Sequence, residues 1–183
     1  MPSPQSLSDR DRRLVAAWAA DCAEHVIDLF ERETPDDDRP RDAIARARAY
    51  SRGELDAARE IRRRFVAGRA ASAVSSPPAI AAAHSAAQAA GVAHMGAHAL
   101  GAAAYAAKAR GLSAAHESDA IADEVRWQLS IMSEPARAAL RQLPPVGEDS
   151  AGPLGAGGLL ATGILGSVIR TIQQSLRRSG PSD

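Results

Sequence analysis

Aromatic side chains are scarce: two Trp, two Tyr and two Phe make up 3% of the 183 residues. A core built with so few of them is assembled from Ala, Leu, Val and Ile, in thin layers that suit close helix packing. Cysteine occurs once, at Cys22, so no intrachain disulfide can form and a reducing, cytoplasmic setting is expected. Lysine also occurs once, against 21 Arg, a bias that fits GC-rich coding better than a function. Neither sign of charge dominates, with 22 basic and 22 acidic residues. The missing basic excess argues against a general nucleic-acid binder. No polar–apolar alternation is sustained anywhere, so no strand is expected. Phosphate-binding glycine loops, CxxC pairs, nucleophile elbows and dinucleotide fingerprints are all missing. The first thirteen residues show no apolar run after their charges, so no secretory signal is expected.

What the chain has in abundance is alanine. The stretch Pro77–Gly111 opens on Pro-Pro, closes on Gly and is otherwise mostly Ala, the strongest helix former. It predicts one long central helix of some thirty residues, about 45 Å at 1.5 Å per residue. Before it, Ser8 is placed to cap a helix in which Leu14, Trp18, Cys22, Val26 and Leu29 recur at helical spacing, ending near Glu33. Asp38 predicts the cap of a second helix carrying Ile44, Ala47 and Tyr50 inward. A third is expected from Glu54 to about Val74, with Leu55, Ala58, Ile61 and Phe65 inward. Beyond the central helix come Glu117–Ser133, with Ile121, Val125, Leu129 and Met132 on one face, and a short Pro135–Leu143.

These readings give an all-α fold: an antiparallel bundle of about six helices around the Ala-rich central one. The expected organisation is an all-α domain over 8–143, a Gly/Pro-rich flexible linker over 144–157 and an amphipathic C-terminal helix over 158–178. Residues 150–169 contain no charge but six Gly, which makes a membrane span a weak reading. Docking of the 158–178 helix on a protein partner, or its apolar face on a membrane surface, are the stronger ones.

Two clusters could carry chemistry. His94 and His98, four apart, would share a helix face, with Tyr105 farther along the same stripe. Asp21 and His25 have the same spacing on the first helix. Set face to face, the pairs would offer three imidazoles and a carboxylate, a donor set for Zn, Fe or Mn. The same groups could do general acid–base work, with Asp21 orienting His25 and Tyr105 nearby. Against both stands a packing role, in which the histidines cross-bond carboxylates between helices. The second cluster, Asp36, Asp37 and Asp38, is either a solvated capping turn or an acidic spot for a basic partner. Cys22, on the apolar stripe, reads as a small core residue. No nucleophile or redox motif marks the chain as an enzyme.

Several short motifs share the order and spacing of one family. They are Arg-Arg-Leu at 12–14, Trp-Ala-Ala-Asp-Cys-Ala-Glu-His-Val at 18–26 and Pro-Asp-Asp-Asp-Arg-Pro-Arg at 35–41. Ala-Arg-Ala-Tyr-Ser-Arg-Gly-Glu at 47–54 and Ala-His-Met-Gly-Ala-His-Ala-Leu-Gly-Ala-Ala-Ala-Tyr-Ala at 93–106 complete the set. Over about residues 10–142 the chain resembles small bacterial all-α immunity proteins of polymorphic toxin systems, the immunity-protein-five-like domain. The resemblance implies a cytoplasmic protein that neutralises a cognate toxin by stoichiometric contact. It assigns no catalytic or toxin-contacting residue, and it leaves out the tail at 144–178. A metal- or ligand-binding bundle, possibly enzymatic, and a membrane-surface adaptor acting through the tail are the alternatives.

Overall fold

The computed structural model describes residues 3–63 and 66–178, leaving aside the side chains at 61–63 and 67. The described residues form ten α-helices and no strand. The first, α1 (Asp9–Glu24), starts where the Ser8 hydroxyl accepts a hydrogen bond from the Asp11 amide at 3.0 Å, with Asp9 and Asp11 in its first turn. It is shorter than its apolar spacing predicts: a turn over 25–27 separates it from the short α2 (Asp28–Glu31). Trp18, Cys22, Val26 and Leu29 are buried all the same, because the turn keeps their side of the chain against the core.

Helix α3 (Arg39–Ser51) follows the acidic turn. Asp38 occupies the N-cap position but makes no side-chain cap bond. The neighbouring Asp37 does that work, accepting from the Arg39 amide at 3.2 Å and from its guanidinium at 2.8 and 2.5 Å. Ile44, Ala47 and Tyr50 are buried, as their spacing requires. The expected third helix contains α4 (Ala57–Arg63), α5 (Val66–Ala70) and a 3-10 turn at Ala71–Ala73. Leu55 is half-buried and Ala58 is exposed, so the inward face drawn through Ala58 is wrong; the Ile61 side chain and Phe65 lie outside what the structure describes.

The single central helix is corrected most. Pro77–Gly111 folds as α6 (Pro77–Gly91) and α7 (His98–Ser113), joined by a turn over 92–97. The two helices run antiparallel: the Ser85 hydroxyl donates to the Ala102 carbonyl at 2.8 Å, and Gln88 meets His98 at 2.8 Å. The break has a partner elsewhere in the chain. The Gly96 and Ala97 amides donate to the Ser6 and Gln5 carbonyls, both at 3.1 Å. A Cβ at Gly96 would stand 2.5 Å from the Leu7 side chain, so any larger residue there would have to push Leu7 aside. Folding back lets the Ala faces of α6 and α7 pack on each other and on α1, an arrangement in which Ala81, Ala82, Ala86, Ala99, Ala102 and Ala103 are all but inaccessible to solvent.

Helices α8 (Glu117–Ser130) and α9 (Glu134–Arg141) follow, α8 against α7 and α9 against α1. The segment at 144–157, read as a linker, is held down. Gly147 donates to the Leu154 carbonyl and Ala156 to that of Asp149, each at 2.8 Å, and Leu154 is fully buried. Gln5 anchors it from the other end of the chain: its carboxamide donates to Asp149 at 2.7 Å and to the Ala151 carbonyl at 2.8 Å, and accepts from the Leu154 amide at 3.0 Å.

Helix α10 (Gly163–Arg178) lays Leu165, Val168, Ile169, Ile172 and Leu176 against α7, α8 and α9. The apolar face that docking on a membrane surface or a partner would need is therefore spent on the bundle itself. No helix among the described residues is long and apolar enough to cross a membrane.

Candidate functional site

The best-organised polar cluster lies where the C-terminal ends of α1 and α7 meet α8. Its centre is Glu124, whose side chain is 2% exposed. Ionised, this carboxylate can only accept hydrogen bonds. It takes one from His25 Nδ1 at 2.8 Å and one from Gln128 Nε2 at 3.1 Å, and the Arg110 guanidinium stands 3.8 Å away. Arg110 also donates to the His25 carbonyl, and the Trp18 indole donates to the Gln128 carbonyl at 2.8 Å. A buried carboxylate held this way fixes its neighbours' positions. Gln128 Oε1 is buried and has no hydrogen-bond partner among the described residues.

The effect reaches the surface through His25. Its ring stacks on Trp127, centroids 3.7 Å apart and planes 16° from parallel. Both rings line a shallow hollow of about 420 Å³ with Asp21, Glu24, Arg48 and the exposed Ile131. Arg48 bridges Asp21, at 2.7 Å, and Glu24. Asp21 is thus committed to Arg48, and the residue that orients His25 is Glu124, not Asp21. Buried Cys22 lies just beneath; burial, then the charges of Glu124 and Asp21, push its thiol well above the usual range.

His94 and His98 sit elsewhere. Because the helix breaks, His94 belongs to the 92–97 turn and His98 opens α7, so they share no helix face. Their ring centroids are 6.4 Å apart. They line a second hollow with Gln88 and Arg69, of about 660 Å³. Tyr105 joins neither group: it is buried against His84, rings 5.1 Å apart, and burial raises its phenol. Burial, and then the charge of Lys108, lowers the pKa of His84.

The four residues expected to share a metal thus line two different hollows. Among the described residues no group of three or more His, Cys, Asp or Glu side chains is placed to hold a metal ion. The donor set does not fit Zn, Fe or Mn as the spacing had implied. The acidic turn stays at the surface, with Asp36 and Asp38 exposed and Asp37 paired to Arg39.

The sequence model of one family, described as Imm-5 like putative immunity protein, matches residues 5–135. The chain belongs to that family. No curated protein and no solved structure matches it. The family match takes in the whole His25–Trp127 cluster and the acidic turn, and it ends at the start of α9. In this immunity-family chain Glu124, Arg110 and Trp127 are the residues that sequence reasoning missed. The run Glu124-Val125-Arg126-Trp127-Gln128 held a signal, a Glu and a Gln at i and i+4 on a face otherwise expected to be apolar.

Proposed function

We propose that this chain is an immunity protein that neutralises a cognate toxin in the bacterial cytoplasm by stoichiometric contact. Family membership sets the class, and one observation supports the mode: the Trp127–His25 stack held from behind by buried Glu124. Binding energy at protein interfaces concentrates in a few preorganised aromatic and Arg side chains, ringed by polar groups that exclude water. Trp127, with Ile131 beside it and Asp21, Glu24 and Arg48 around it, has that composition. Exposed Asp36 and Asp38, with Asp37 between them, offer a second contact that attracts a basic toxin surface and speeds encounter.

The test is complex formation between the purified chain and the toxin encoded beside it, followed by calorimetry. The wild type is expected to bind one to one. Trp127→Ala should weaken binding by about thirtyfold, the loss of roughly 2 kcal/mol that defines a hot spot. Absence of a wild-type complex would overturn the reading.

A second reading draws on the same geometry. His25 Nδ1 donates to a buried carboxylate, leaving Nε2 as the basic nitrogen on the hollow's wall, the arrangement of a general base. Stoichiometry separates the two. An enzyme protects against excess toxin by turnover, whereas an inhibitor protects only to equivalence.

A further inference from the structure

The second hollow has no part in that reading. It is walled by Gly68, Arg69 and Ser72 on one side, by Ala87, Gln88 and Gly91 of α6 on the other, and by His94 and His98, around about 660 Å³. That volume lies within the usual range of small-molecule sites, about 300–1,000 Å³. The chemistry of the wall is one-sided. It offers a guanidinium, two imidazoles, a hydroxyl and a carboxamide, with no Asp or Glu among the described lining residues.

Arg69 is one of the few described arginines without a carboxylate partner, and it lies on this hollow. Arg12, Arg13, Arg39, Arg41, Arg46 and Arg48 each pair with a carboxylate within 3.5 Å. Arg69 is exposed on the hollow and pairs with no described carboxylate. Its planar fork is therefore open to a ligand, and that fork matches oxyanions best. His98 is held by Gln88 at 2.8 Å, which fixes the ring beside that of His94, 6.4 Å away. Gln88 in turn lies where it does because residue 101 is glycine: a Cβ there would come 2.3 Å from Gln88 Oε1. The Gly96 and Ala97 amides at the head of α7 are already taken by Ser6 and Gln5, so side chains have to make any anion site here.

We propose that this hollow binds the phosphate or carboxylate group of a small organic molecule, with Arg69 as the bidentate charged contact and His94 and Ser72 as further donors. The hollow shares no lining residue with the one at His25 and Trp127, so either reading can fail without the other. Full-length chain is titrated with inorganic phosphate in one arm and citrate in the other, at constant ionic strength set with chloride. Binding is followed by amide shifts of Gly68 and Gly91 in two-dimensional NMR. The wild type is expected to show saturable shifts at these glycines. Arg69→Ala should weaken the dissociation constant by about tenfold or more, and His94→Gln by a smaller factor. Arg69→Lys keeps the charge without the fork and falls between, which preserves the test if the alanine variant does not fold. The arm that saturates at lower concentration identifies the phosphate or the carboxylate. Absence of saturable shifts in both arms, or shifts unchanged by the Arg69 variants, overturns the proposal.

Discussion

His25 Nδ1 lies 2.8 Å from Oε2 of Glu124, 99 residues further along the chain and 2% exposed. This bond makes the surface ring just after α1 an extension of the core. Removing the carboxylate leaves His25, Gln128 and Arg110 facing a void they cannot fill. Glu124→Ala is expected to lower stability by about 3 kcal/mol in urea unfolding, the cost of breaking a buried polar network from one side. Glu124→Gln, which keeps the shape and part of the hydrogen bonding, should cost less than half as much. Equal and small losses in both variants would show that the network carries little stability.

The close pass of α6 and α7 at Gly101 sets a second expectation. Gly101→Ala puts a methyl 2.3 Å from Gln88 Oε1 and 3.0 Å from Leu160 Cδ1. Overpacking costs about 1–3 kcal/mol, against the roughly 0.5–1 kcal/mol that Ala gains over Gly inside a helix and the freedom of the Gln88 tip to shift, so a net loss of about 1 kcal/mol is expected. Shortening the obstacle in the double variant Gly101→Ala/Gln88→Ala should recover part of the loss. Thermal melts of the two single variants and the pair measure that coupling.

Gln5→Ala tests whether the N-terminal segment holds the 144–157 segment. The substitution leaves the buried Leu154 amide without its acceptor and Asp149 without its donor. A loss of about 1–2 kcal/mol is expected. Hydrogen exchange at Leu154 should speed up while the α6–α7 interior stays protected. Unchanged exchange at Leu154 would mean that the segment is held by Leu154 packing alone.

Acid should destabilise the fold from a defined side. The Arg41 guanidinium lowers the Glu31 carboxyl below its ordinary value of 4.5, against a smaller opposing effect of burial; Arg39 does the same to Asp37, below 3.8. Both groups have depressed folded-state pKa values. Their contribution is complete above the ordinary values and is lost as pH falls through the lower folded ones, because there the unfolded chain binds more protons. Urea midpoints should be flat from pH 7 to about 5 and fall below about 4.5. Arg41→Ala should shrink the Glu31 part of that drop, and an unaltered profile would remove it from the account.

The Cys22 thiol is buried and pushed well above its ordinary pKa. It should not react with a disulfide reagent at pH 8 in the native state and should react fully in urea. Rapid native labelling would show that the α1–α8 contact opens readily.

Much of the helical content was legible from residues alone. Ser8, the Leu14–Leu29 spacing and the Ile44–Ala47–Tyr50 face announce their helices because capping and periodicity are local. The break between Gly91 and His98 was not legible. Alanine favours helix equally at every position, so an Ala-rich run says nothing about where to stop, and the contact made at the break, Gly96 against Leu7, joins residues 89 apart in the chain. The His94–His98 pairing failed for that reason: its i,i+4 geometry assumed a continuous helix. Asp21 was paired with His25 by the same rule, yet Arg48 claims Asp21 and the carboxylate beside His25 comes from α8.

By itself the sequence determined the all-helical class, many of the inward faces, the starts of α1, α3, α6 and α8, and membership of the immunity-protein family. These depend on propensity, periodicity and short motifs, which act over a few residues. The tertiary structure alone decided that the alanine stretch folds back on itself, that Glu124 stands behind His25, that Gln5 holds the segment before α10, and that the four histidine and aspartate candidates line two separate hollows. Each of these is a contact between residues far apart in the chain, chosen by packing and by the need to satisfy buried polar groups, and neither leaves a period in the sequence.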